Sequence, residues 1–559
     1  MALASSGRRF GLAAALLAGA SLLAAAPGAR AALDPAHKGG TLHLLTHAPE
    51  GTLDPQINYT LKNWQLYQFL YDGLVAFQKA GGSAGFKIVP DLAEAIPTPT
   101  DGGKTYVFKL RKGIYFSNGK EVTVDDVVHS FNRIFRVSGP TAGTFYADIV
   151  GAPECLKKPA GCTLPGVVGD AANDTVTFHL IAPDAEIMDV LAVPHASILP
   201  ADTPDKDLGT TAAPGTGAYM IKSFDPAKEM VMVRNPHFKV WSEAAQPDGY
   251  PDEIDYSYGL TDEAQITAIE NGQADWSFDP PPADRLAELG TKYASQVHLT
   301  PLTAMWYVPF NVNIEPFDNK DARQAVNYAI DRNAVLKIFG GPALGTPTCQ
   351  ILPPGFSGYE PYCPYTKNPG KKWSAPDMAK AKALMQSSGK IGAPVTIITE
   401  DTEVSRDIGT YLQSVLNQLG FKASVKPISQ DIEFTYIQNT KNKVQMSVTQ
   451  WYQDYPAPSD FLNVLFSCNS FHPGSDASVN IAGFCDHKID ADMQKALTTS
   501  ITDQKAAASM WAAIDREVTD ASPVAVLFTP KHVDFVSKRV GNFIFNAQYY
   551  WIMPQSWVK

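Results

Sequence analysis

Val395-Thr-Ile-Ile-Thr399 is an unbroken β-branched run. It is followed by Ile408, Leu412, Val415, Leu416 and Leu419 at helical spacing, then by Gly420 and Phe421-Lys-Ala-Ser-Val425. The first run has the length and composition of a buried strand, and the middle residues share one face of a helix that Gly420 closes. The last stretch returns as a strand. A strand–helix–strand of this length is a βαβ crossover, which predicts parallel pairing and an α/β class for this half of the chain.

Working outward, Ala322, Ala325, Val326, Ala329 and Ile330 predict an amphipathic helix, as do Met378, Ala381 and Met385 after Pro376. A further helix is expected around Trp511 to Val518 and a strand at Val524-Ala-Val-Leu-Phe528. Toward the N-terminus the reading is strand-rich. Thr41 to Leu45, Thr105 to Arg111, Asp174 to Leu180, Tyr219 to Ile221 and Met305 to Asn313 read as strands, and Asn63 to Leu74 as an aromatic-rich helix. Asn118-Gly119 signals a tight hairpin, and Thr123 with Asp126 a short capping box. Gly215-Thr-Gly217 precedes a strand rather than opening a helix, so it offers no helix N-terminus to a phosphate.

At 559 residues the chain is too long for one core, and two or three domains are expected. Hydrophobic residues make up 45% and charged residues 18%, an ordinary globular balance. A net charge of −11 argues against nucleic acid or an anionic membrane as the main partner. Arg8 and Arg9, the apolar run from Gly11 to Ala26 and Ala29-Arg30-Ala31 predict an export signal over 1–31, cleaved near Ala31, with no cysteine there for a lipid anchor. Six cysteines in an exported chain read as disulfides. They allow 15 connectivities. Local pairing, Cys155–Cys162, Cys349–Cys363 and Cys468–Cys485, is expected because each couple brackets a Gly-, Pro- or Ser-rich loop. No CxxC or zinc-like Cys/His spacing occurs, and no metal or cofactor is expected.

Two stretches bear on function. In Val448-Thr-Gln-Trp-Tyr-Gln-Asp-Tyr-Pro-Ala-Pro-Ser-Asp-Phe-Leu462, a strand is halted by two prolines and Ser459 stands ready to cap a helix. Trp451, Tyr452 and Tyr455 surround one carboxylate, Asp454, an arrangement suited to a cationic group. The alternative is a surface turn whose aromatics pack inward. Gly81-Gly-Ser-Ala-Gly85 fits the G-x-S-x-G expression of serine hydrolases but lacks the preceding strand that a nucleophile elbow needs. A hairpin tip is the expectation there.

Several stretches, in order, resemble the family-5 extracytoplasmic solute-binding proteins of ABC transporters, of the oligopeptide- and dipeptide-binding type. They are Gly103 to Gly113, Phe116-Ser-Asn-Gly119, Val124 to Phe131, Gly215 to Tyr219, Asn235-Pro-His-Phe238, Phe317 to Arg332 and Asp454 to Leu462. The resemblance implies a two-lobed periplasmic-binding-protein type II (class C) clamp with an extra subdomain. Lobe one would comprise 32–73, 200–313 and 523–559, the extra subdomain 74–199, and lobe two 314–522, with hinge strands near Tyr307 and Val526. It implies a periplasmic receptor, a monomer and no enzyme, that captures a small peptide and delivers it to a membrane permease and ATPase. Asp454 would receive the ligand's α-ammonium, and Trp451 would line a side-chain pocket, with Tyr452, Tyr455 and Trp306 beside it. The arginine that such binders carry three residues before the tryptophan is Val448 here, and Lys441 or Lys443 is the candidate replacement. Oligosaccharide, opine, glutathione or metal chelate stands as the alternative ligand, and a secreted serine hydrolase as the alternative class.

Overall fold

The computed structural model describes residues 33–559, so the expected signal segment lies outside the described residues. The chain folds as a two-lobed α/β clamp built around three sheets. In the N-terminal half, Thr41–Thr46 lies between Trp276–Ser277 and Glu253–Tyr258, parallel to both. Glu229–Arg234 and Tyr219–Asp225 continue that sheet antiparallel. The 3.6-residue spacing read at 408–419 is realised as the helix Glu403–Leu419, with Gly420 in the left-handed conformation at its end. The strands it joins, Pro394–Glu400 and Lys422–Ile428, pair in parallel, and Met446–Ser447 adds a third parallel strand. The crossover closes because Gly409 lets the helix sit directly on the sheet. A Cβ there would fall 2.5 Å from Thr399 Cγ2.

The third sheet lies between these two and is antiparallel throughout: Val297–Pro301, Val524–Phe535, Ala304–Pro309 and Thr449–Tyr452 in order, with Gly345–Pro347 pairing beside them on Val524–Phe535. Both expected hinge positions are in it, and Tyr307 pairs with Val526. The strand expected to end at Phe528 runs on to Phe535. At Pro530 the strand changes partners, from Gly345–Pro347 to Val297–Pro301, so the missing N–H costs no continuous ladder.

A small antiparallel sheet of Thr105–Lys109, Thr175–His179 and Val167–Asp170 forms the outlying region, with the helix Val124–Arg136 against it. That helix starts as read: Asp126 Oδ2 accepts from the Thr123 backbone N–H at 2.7 Å and from its hydroxyl at 2.8 Å. The Gly215-Thr-Gly217 turn is a packing device, since a Cβ at either glycine would meet the carbonyls that end the helix Leu61–Leu70. All three disulfides form between the local couples, Cys155–Cys162, Cys349–Cys363 and Cys468–Cys485. One buried apolar cluster joins the N-terminal half to residues of the 451–518 stretch, and a second is centred on the βαβ unit and on Trp306, Val308 and Phe528. Among the described residues no helix is long and apolar enough to cross a membrane.

Candidate ligand cleft

A cavity of about 210 Å³ opens where the three sheets meet. The start of the helix Leu61–Leu70 closes one side, the ends of the Pro394–Glu400 and Thr449–Tyr452 strands another, and Lys531 and His532 of the long central strand a third. A space of this size suits a small solute.

Asp454 lies two residues beyond Thr449–Tyr452, where the chain leaves the sheet, and is 7% exposed. Its N–H donates to Asp460 Oδ2 at 2.9 Å, and its carbonyl accepts from the Gln548 amide. Its own Oδ2 accepts from the hydroxyl of Tyr59, a residue 395 positions earlier in the chain. Burial, reinforced by the nearby Asp454 charge, holds the Tyr59 hydroxyl well above its ordinary range, so it stays a donor. Burial also pushes Asp454 up to about 7, against the stabilising bonds from Tyr59 and Asp460. Asp460 is likewise held well above the ordinary carboxylate range, by burial and by the charge of Asp454. Asp454 is therefore the member of the pair that ionises first, with Asp460 holding its proton more firmly. Tyr59 is itself seated by His195, whose ring centroid lies 4.9 Å from it. His195 is fully buried and depressed to about 4, hence neutral. Its Nε2–H donates to the Asn58 carbonyl at 3.0 Å, and its Nδ1 accepts from the Thr141 hydroxyl at 2.9 Å.

Trp451 lines the cavity, 4% exposed, with its ring edge-on to Tyr59 at 5.5 Å and tilted to Phe434 at 6.4 Å. Its indole N–H makes no hydrogen bond. Tyr452 also lines it, edge-on to Tyr550 at 6.3 Å. Trp306 contributes from the neighbouring strand, stacked on Phe528 at 5.8 Å. Tyr455 is not brought to the cavity. Past the strand end the in–out alternation lapses, and its ring turns edge-on to Phe145 at 5.4 Å while its hydroxyl meets Ser459 at 3.2 Å. Ser459 does not cap its helix either. Pro458 holds that position, and the serine hydroxyl donates to Glu186 at 2.5 Å.

Val448 is fully buried in the apolar cluster around the βαβ unit, and neither Lys441 nor Lys443 lines the cavity. The cation that does so in their place is Lys531, half-buried and in no ion pair among the described residues. Lys62 is committed elsewhere, donating to the Ala48 and Pro49 carbonyls at 2.6 and 2.9 Å. Besides Asp454 the lining carries Asp262, Asp279, Glu400, Asp431 and Glu433, of which Asp279, Glu400 and Glu433 are buried. Of these missed residues only Glu400 has a sequence signal, an acid closing the buried run 395–399. Tyr59, Glu433 and Lys531 have none.

Ser83 begins a short 3-10 turn, exposed, with Gly85 pressed against the Asn546 amide; no strand leads into it. That is the hairpin-tip geometry, and it does not make a nucleophile elbow.

Residues 87–473 match the family described as bacterial extracellular solute-binding proteins, family 5 Middle. The chain is 28% identical over 477 residues to a protein of Pseudomonas aeruginosa named probable di/tripeptide-binding protein 5, covering 80% of this chain and 83% of that one. It is 25% identical over 518 residues to the glutathione-binding protein GsiB of Salmonella choleraesuis, with 90% of each chain covered. In fold it is similar to the periplasmic binding protein DppA of Helicobacter pylori, with a TM-score of 0.79 at 20% identity, covering 93% of this chain and 98% of that one.

Proposed function

Because the chain belongs to family 5 of the bacterial extracellular solute-binding proteins, we propose that it captures a small peptide between its lobes and hands it to the permease and ATPase of an ABC importer. The observation that carries this reading is Asp454: a buried carboxylate that ionises around neutrality, set among Tyr59, Trp451 and Tyr452 at the wall of a small cavity. A free α-ammonium is the group that such a site recognises, as a charge-assisted hydrogen bond with an aromatic rim. Lys531 is the counter-charge for the ligand's carboxylate.

The relatives' names include both di/tripeptides and glutathione. Glutathione carries two carboxylates against one ammonium, whereas the cavity presents Asp454, Glu400 and Glu433 with Lys531 as its uncommitted cation. That balance favours peptides of neutral or positive charge. In this reading the lobes are 32–73 with 200–313 and 523–559, against 314–522, and 74–199 is the extra subdomain. The paired strands at Tyr307 and Val526 flex as the hinge, and the protein works as a periplasmic monomer after loss of 1–31.

Calorimetry with tripeptides tests the proposal. Trialanine is expected to bind, and N-acetyl-trialanine to bind about 10- to 100-fold more weakly, the range of a lost charged hydrogen bond. Asp454→Asn is expected to lower trialanine affinity to the same degree. Equal affinity for the free and acetylated peptides would overturn the assignment.

A further inference from the structure

Glu400 ends the Pro394–Glu400 strand and Glu433 lies in the first turn of the helix Gln430–Gln438. Both line the cavity, at 8% and 1% exposure. Glu400 Oε1 accepts from the Gln450 amide at 3.0 Å. Glu433 Oε1 accepts from nothing. No lysine, arginine or histidine pairs with either among the described residues; Glu433 feels Glu400 as a like charge, and Glu400 feels Asp279 and Asp401. Two carboxylates buried together without a cation are costly. A fold gains nothing from leaving one of them with an unfilled acceptor.

The surroundings are those of a cation site. Phe434, the residue after Glu433, turns its ring to the Trp451 indole, so a positive arm reaching Glu433 passes aromatic faces. Gln450, which holds Glu400, stands four residues before Asp454 on the same segment, a spacing of at most about 13 Å along extended chain. An extended peptide fixed by its amino end at Asp454 advances about 3.3 Å per residue, so a long basic arm on its second or third residue supplies the remaining reach to the pair.

We infer that Glu400 and Glu433 form a second cation subsite, which takes the side chain of a lysine or arginine, so that the preferred cargo is a short peptide with a basic residue. The inference deepens the peptide reading and rests on it. The two carboxylates grip the basic arm while Asp454 holds the amino end.

The test compares Ala-Lys-Ala and Ala-Ala-Lys with the same peptides carrying norleucine, which keeps the apolar arm and removes the charge. On the full-length mature protein, at least one lysine peptide is expected to bind 10-fold or more tightly than its norleucine twin. In Glu433→Gln, and separately in Glu400→Gln, that ratio is expected to fall to within about 3-fold while norleucine-peptide affinity stays near wild type. The retained norleucine binding also reports that each variant is folded. Lysine and norleucine peptides of equal affinity in the wild type would overturn the inference, as would a ratio that survives both substitutions. N-acetylated lysine peptides separate the two readings. A kept lysine preference with no acetylation penalty removes Asp454 from the amino end but leaves the acidic pair in place. Absence of binding by every peptide defeats both.

Discussion

Asp454 is an acid whose surroundings set its working range. Burial pushes it up to about 7, so it takes up a proton through mild acidification, while an ordinary carboxylate would not do so until near 4. Its protonated form cannot pair with an ammonium. Peptide affinity is therefore expected to drop by about 10-fold or more between pH 7.5 and pH 5.5, a window in which the peptide's amino group stays charged. Calorimetry across that range checks the sign. A flat profile would mean that Asp454 stays ionised throughout or does not touch the ligand. At this scale the sequence was half legible. Trp451, Tyr452 and Asp454 lie on one short segment and reach the cavity together, and Trp306 sits on the adjoining strand. Tyr59 comes from 395 residues away and Glu433 from a helix with nothing unusual in its composition, so no local pattern announces either. Tyr455, grouped around Asp454 by its nearness in sequence, packs instead on Phe145 and Ser459, which no local pattern shows.

At the level of elements, the βαβ unit was readable because its spacing, its closing glycine and its apolar faces all say the same thing. Leu412 is fully buried on the helix Glu403–Leu419, in the cluster that the unit organises. Leu412→Ala is expected to cost about 2–5 kcal/mol in urea denaturation while leaving peptide affinity of the folded fraction unchanged. Gly409→Val is expected to destabilise as well, since its side chain would enter space held by Thr399 and Val425. The central strand was less readable. Its expected span stops at Phe528, and the partner change on either side of Pro530 explains why the strand continues to Phe535.

Across the whole molecule, buried carboxylates outnumber the cations that answer them. Burial raises Asp184 and Asp515 to about 6, Asp189, Glu400 and Asp454 to about 7, and Glu186 to about 8. A carboxylate raised in this way binds its proton more tightly folded than unfolded. Its contribution is whole below about pH 4 and is lost as pH climbs through its folded value. His195, depressed to about 4, works the other way and loses its contribution on acidification from about 6.5. The carboxylates raised to about 7 and 8 predict a higher melting temperature at pH 6 than at pH 8, readable by scanning fluorimetry. The expected trend is opposite to that of ligand affinity over the same interval. Total clamp geometry was legible only through the sum of many short resemblances, because each lobe is assembled from segments distant in the chain.

The Tyr59–Asp454 hydrogen bond joins the first stretch of the protein to one more than halfway along it, and it spends the very oxygen that a guest would seek. The receptor thus carries an internal rival for its own cargo. An incoming amine must displace a phenol or share an acceptor with it, which lowers the grip on every ligand equally and leaves selection to whatever else the guest can touch. Shaving that rival to Tyr59→Phe should produce a stickier protein whose order of preference among free-amine guests is unchanged.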